Sequence, residues 1–112
     1  MEFKMYVPPK KFSLKEVVSY ADGSVVSKQS IKQSGGNVTF FAFDKGEGLS
    51  EHTAPFDAMV VVIEGLAKIT IDGQPYELTE GEAIVMPAHI PHAVFATEKF
   101  KMMLVMVKGD KK

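Results

Sequence analysis

From residue 24 onward, turn-forming clusters recur at short and regular intervals, and this constrains the fold more than any other feature of the chain. The clusters are Ser34-Gly-Gly-Asn37, Asp44-Lys-Gly46, Glu64-Gly65, Asp72-Gly73, Glu80-Gly81 and Pro87-Ala-His-Ile-Pro91. They leave eight short segments that read as strands: Val25 to Gln33, Val38 to Phe43, Phe56 to Glu64, Leu66 to Ile71, Gln74 to Leu78, Glu82 to Met86, His92 to Ala96, and Phe100 to Val107. Asp72-Gly73, set between Ile69-Thr-Ile71 and Tyr76, predicts a two-residue hairpin. Only one stretch reads as helical. Ser13-Leu-Lys-Glu16 has the form of a capping box and predicts a short N-terminal helix that ends before Asp22-Gly23. The expected architecture is all-β, a sandwich or small barrel with one minor helix. No linker, low-complexity tract or repeat divides the 112 residues, so the chain reads as a single domain over residues 1–112, with an N-terminal segment over 1–22 and the barrel over 23–108. A domain of this length buries roughly two thirds of the surface of its unfolded chain and folds without a disulfide or structural metal.

Two segments depart from ordinary strand patterning. A strand with one face in water alternates apolar and polar residues, yet Ala58–Ile63 and Met102–Val107 are apolar throughout. Both of their faces must therefore be covered. The expected cover for the outer face is a second copy of the chain, which predicts a homodimer; the alternative is that the N-terminal segment, Phe3 to Val18, folds back over it.

Composition removes several function classes. Thirteen basic residues, all Lys, balance fourteen acidic ones for a net charge of −1. With no basic face and no Arg fork for guanine edges, nucleic acid is excluded as a partner. The absence of Cys removes zinc-finger, iron–sulfur and thiol chemistry and suits a reducing compartment. The N-terminal sequence has neither the apolar core nor the cleavage site of an export signal, and apolar runs of six residues are far short of the roughly 20 that span a bilayer. The expectation is a cytoplasmic protein without a membrane partner.

The three histidines, His52, His89 and His92, fall in the two loop-edge regions that bracket the central strands. A lone histidine is more often a satisfied structural residue than a ligand, but these sit in a larger pattern. Gly46, His52 and Gly65, followed by Gly81, Pro87 and His92, have the order and spacing of the two motifs of the cupin superfamily, which the chain resembles. In the first motif Ala54 stands at the second histidine position and Ala58 at the glutamate position. In the second, His89 replaces a glycine and Ala96 an asparagine. The wording Ser-Glu-His-Thr-Ala-Pro-Phe-Asp-Ala from Ser50 to Ala58 is similar to a branch of small single-domain cupins. The resemblance implies a double-stranded β-helix, the jelly-roll barrel, often dimeric. It also implies a metal centre of three histidines and one glutamate, of which only His52 and His92 remain.

Two imidazoles fall short of the three or more protein ligands that zinc, nickel, manganese or iron normally take, so a divalent transition metal is expected to be weakly held or absent. His89, three residues before His92 in a Pro-flanked turn, is the remaining candidate as a third imidazole. Asp57 adjoins the vacant glutamate position, but strand period puts it on the face opposite residue 58. The same parity points Ala54, Phe56, Ala58, Val60 and Val62 inward from one strand, and Val94 and Ala96 from another. Some of Phe40, Phe41, Phe43, Met86, Met102, Met103 and Met106 add deformable lining. The expected site is an apolar pocket with two imidazoles at its mouth, suited to a small organic molecule with one polar end. Three functions fit it: a binding module, a metal-dependent dioxygenase or isomerase using His52 and His92, and a metal-free isomerase or lyase with a histidine general base.

Overall fold

Residues 9–109 are described by a computed structural model, and every regular element among them is a β-strand. The seven strands are β1 (Val25–Gln33), β2 (Gly36–Phe43), β3 (Gly48–His52), β4 (Phe56–Ile71), β5 (Gln74–Thr79), β6 (Ala83–Met86) and β7 (His92–Lys108). All pair antiparallel. The backbone of the arrangement is the pair of long strands β4 and β7, which run together from Phe56 opposite Lys108 to Ile71 opposite His92. β2 and β3 pair successive parts of β7, and β6 and β5 pair successive parts of β4; β1 extends the sheet beyond β2. This gives two strand layers that share β4 and β7, the jelly-roll barrel.

The two long strands correct the expected boundaries. Glu64-Gly65 reads in sequence as a turn between strands, but β4 continues through it, with register shifts at Val62/Glu64 and Gly65/Ala67. Gly65 has φ +91°, and a Cβ there would overlap the Lys99 carbonyl oxygen of the paired strand. Here the glycine permits a bulge rather than a reversal, so the strand bends from one layer into the other without leaving the sheet. β7 likewise passes unbroken through Thr97-Glu-Lys99. The hairpin at Asp72-Gly73 forms as expected, with both φ values positive, +52° and +81°, as a two-residue turn of the primed type requires.

The N-terminal helix does not form. Ser13 to Glu16 makes a single turn closed by the Glu16 N–H donating to the Ser13 carbonyl, 3.1 Å. One turn gives too few hydrogen bonds to offset the cost of helix nucleation, and the β-branched pair Val17-Val18 that follows packs against the barrel instead. Val18 is buried with Phe40, Ala42 and Ile63, and Val17, Tyr20, Val26, Val38 and Met103 surround them. Phe12 meets Phe40 edge to face at 6.0 Å. The segment is anchored at its end by the Tyr20 hydroxyl, which donates to Glu64 Oε2 at 2.7 Å, and by the largely buried Lys101 ammonium, which donates to the Lys15 carbonyl. It covers the outer surface over β2 and part of β7. The rest of the outer face is uncovered in the single chain: Met59 is 38% exposed, Val85 54% and Val107 56%.

The principal core lies between the layers. Phe43, Val60, Val62, Ala67, Ile69, Phe100 and Met102 are among its buried members, and Phe43 and Phe100 stack at 4.6 Å with planes 7° apart.

Candidate functional site

β3 and β7 bring two histidines together. Their ladder puts His52 directly opposite His92, after an irregularity between Leu49 and His52, and side chains opposite each other in an antiparallel pair share a face. The imidazole centroids lie 4.4 Å apart with the rings at 72°. Both rings line one chamber of about 50 Å³ inside the barrel.

Each ring is oriented by the same device. His52 Nδ1 lies 2.7 Å from the Ser50 carbonyl oxygen, and His92 Nδ1 lies 3.1 Å from that of Ile90, in both cases two residues back. A carbonyl only accepts, so both Nδ1 atoms carry a proton. In the neutral ring this leaves the Nε2 lone pair as the group available to a ligand. His52 is exposed at the rim, whereas His92 is buried at 6% exposure. Burial holds the His92 imidazole below its ordinary pKa. The Ile90 carbonyl partly opposes this, and the neighbouring His52 adds to it. Near neutral pH, His92 is therefore an uncharged acceptor.

Ala54, Ala58 and Val94 line the chamber, together with Met86, Met102 and Met106. Leu49 and Leu104 complete it. Phe56, Val60 and Ala96 are not part of the lining; Val60 and Ala96 are fully buried in the core between the layers, and Phe56 is half-buried. Leu49 was hidden in sequence because Gly48–His52 is short and polar and reads as loop. Leu104 was legible in principle, since it alternates with Met102 and Met106. Among the wider aromatic and methionine set, Phe41 and Phe43 belong to the inner core and its margin, while Phe40 and Met103 face the outer cluster beneath the N-terminal segment.

His89 stands outside the chamber. It is exposed in the turn before β7 with φ +68°, and its backbone N–H donates to the Ala54 carbonyl at 2.8 Å. Asp57 is exposed, and its Oδ1 accepts from the Ala88 N–H at 2.9 Å. The Asp57 side chain thus ties the loop of His89 to β4. Among the described residues no three His, Cys, Asp or Glu side chains come together as a metal cluster. The donor set facing the chamber, two imidazoles with alanine at positions 54 and 58, does not fit a resident divalent ion. A wider cleft of about 470 Å³, lined by Lys10, Phe12, Ser13, Glu16, Val17, Lys28 and Ser30, lies between the N-terminal segment and β1, remote from the histidines.

The family model described as Cupin domain matches residues 39–108. Among solved structures, a conserved protein of unknown function from Streptococcus pyogenes is 41% identical with a TM-score of 0.87, over 91% of this chain and 90% of that one. A cupin 2 conserved barrel domain protein from Leptotrichia buccalis is 47% identical with a TM-score of 0.84; the match takes in 87% of this chain but only 47% of that protein. A cupin superfamily protein from Desulfitobacterium hafniense is 26% identical, TM-score 0.83, over 86% and 88% of the two chains. No curated protein matches the chain.

Proposed function

The chain belongs to the cupin family, and from that premise we propose that it is a binding module for a compact, mostly apolar molecule whose single polar head rests on the His52 and His92 imidazoles. The observation that carries this reading is the tautomer lock: two Nδ1 atoms are tied to backbone carbonyls, which reserves two Nε2 acceptors at the edge of an otherwise apolar chamber. The matching head is a hydrogen-bond donor, an alcohol, a phenol, a protonated acid or an amine. The size of the chamber limits the rest. At about 50 Å³ it has room for roughly four waters, each needing about 10–15 Å³. The ligand is therefore small, or it displaces the unbranched, deformable side chains of Met86, Met102 and Met106. Absence of Cys makes a reducing, cytoplasmic compartment the natural setting for this reading.

A thermal-shift screen of small alcohols, phenols, acids and amines on the full chain identifies the head group. Ala58→Phe then fills the chamber. A compound that raises the midpoint of wild type is expected to leave the folded variant unshifted, and equal affinity in the variant would place the ligand elsewhere.

The neutral state of His92 favours one second reading. A buried imidazole with Nδ1–H fixed by a carbonyl and Nε2 unprotonated is arranged as a general base, so a metal-free isomerase or lyase is the alternative function for the same chamber. Its mark is turnover of a bound compound that His92→Asn abolishes while binding persists.

A further inference from the structure

We propose that Asp57, which stands outside the chamber, is a positioning residue for His92: it clamps the turn whose carbonyl keeps the Nε2 atom of that imidazole as an acceptor. This role rests on the binding reading above, in which that acceptor receives the polar head of the ligand. The two Nδ1 ties differ in what supports them. The Ser50 carbonyl that holds His52 belongs to β3. The Ile90 carbonyl that holds His92 lies in residues 87–91, between β6 and β7 and in neither strand. A carbonyl outside a ladder keeps its direction only if the turn around it is fixed.

That turn contains a left-handed residue. The Ile90 N–H donates to the Pro87 carbonyl at 3.4 Å, and His89 between them has φ +68°, a backbone conformation that a residue with a Cβ adopts at a cost. Such a conformation persists where its surroundings over-determine it. Three bonds do so here. Asp57 Oδ1 accepts from the Ala88 N–H at 2.9 Å, the Ala54 carbonyl accepts from the His89 N–H at 2.8 Å, and the Pro91 carbonyl accepts from the Asp72 N–H at 2.8 Å. Two of these anchors are backbone. Asp57 is the side chain among them, and its carboxylate makes the charge-assisted bond. With Ala88 released, rotation of the Ala88–His89 peptide relieves His89, turns its N–H away from Ala54 and carries the Ile90 carbonyl off the His92 ring. The imidazole then places its proton on Nε2 as readily as on Nδ1, which makes a donor of the ligand-facing atom. Strand period explains how a residue on the wrong face for the chamber does this. Asp57 points away from Ala58, and Ala58 pairs with Met86, two residues before Ala88, so the turn after β6 begins beside the Asp57 carboxylate.

Long-range proton–nitrogen correlation spectra of the ligand-free full chain, taken at about pH 8 where a histidine of ordinary pKa is neutral, read the proton position on each ring directly. Wild type is expected to show His92 as a single Nδ1–H tautomer, its signals assigned by their loss in His92→Gln. Asp57→Ala is expected to move the His92 Nε2 resonance toward that of a protonated ring nitrogen. Asp57→Asn, whose Oδ1 still accepts, is expected to retain the wild-type signals. A merely structural contact would lower stability in the alanine variant without moving that resonance. A folded Asp57→Ala that keeps the pure Nδ1–H tautomer overturns the proposal, as does a wild type with mixed tautomers or an asparagine variant as mixed as the alanine one. Should Asp57→Ala fail to fold, Ala88→Pro removes the donor instead of the acceptor, at a turn position that proline favours. The same shift of the His92 signal is then expected, and an unshifted signal overturns the assignment. No ligand enters these measurements, so a compound screen without a binder counts against the binding reading while the tautomer result stands on its own.

Discussion

His92 is the residue at which the site and the stability of the protein are linked. Its imidazole is held below the ordinary value chiefly by burial, whereas in the unfolded chain it titrates near 6.5. As pH falls below about 6.5 the unfolded state takes up the proton first, so acidification favours unfolding, until the pH has passed the lower folded value. The thermal midpoint of wild type is expected to fall between pH 7 and pH 5 more steeply than that of His92→Gln. Identical slopes would show that the imidazole is not desolvated. Ligand affinity is expected to fall over the same range, because protonation removes the Nε2 acceptor. His89 behaves differently. Its left-handed backbone, φ +68°, is one that glycine adopts without strain, so His89→Gly is expected to stabilise the fold by about 0.5–1 kcal/mol, read by denaturant unfolding. Compound binding is expected to be unchanged, since the ring stands outside the chamber. Its nearness in sequence to His92 suggested a third imidazole; the turn that separates them points the two residues to different environments.

Among the elements, the N-terminal segment shows what a local motif can and cannot specify. Ser13-Leu-Lys-Glu16 has the pattern of a helix start, but Val17, Val18 and Tyr20 have better partners on the barrel than along a helix. The Tyr20 hydroxyl is pushed well above its ordinary range by burial first, then by its bond to Glu64. Above about pH 10 the unfolded tyrosine ionises before the folded one, so this contact loses its stabilising effect in alkali. Tyr20→Phe is expected to cost about 1–2 kcal/mol at neutral pH. Proteolysis within residues 10–20 is expected to quicken while the barrel resists; a variant as resistant as wild type would show that the segment is held by apolar packing alone. β4 and β7 carry the complementary lesson. Turn residues marked where these strands change direction, but Glu64-Gly65 could not announce that the change is a bulge, because that depends on the Lys99 backbone passing against Gly65. β3 carries no strand pattern in the sequence for a related reason: Gly48–His52 has one large apolar residue, Leu49, and its strand character comes from pairing with β7.

At the scale of the whole molecule, the barrel was legible because its turn chemistry and its motif spacing pointed to the same architecture. His52 meets His92 where the end of β3 pairs with the start of β7, and the irregularity between Leu49 and His52 that sets this pairing is not marked in the sequence. The size of the chamber was not legible. Alanines at 54 and 58 read as room, but three methionines and Leu104 enter the same space and reduce it to about 50 Å³, and how far unbranched side chains fill a gap depends on rotamers that no pattern records. His52, Ala54, Ala58 and His92 converge on one chamber. Ala54→His with Ala58→Glu supplies the missing imidazole and carboxylate at those positions, giving three His and one Glu, a set suited to a first-row divalent ion. Titration calorimetry with nickel or zinc is therefore the most direct test. The double variant is expected to bind at least about tenfold more tightly than wild type, equivalent to about 1.4 kcal/mol, and a folded double variant with no gain in affinity would contradict the convergence.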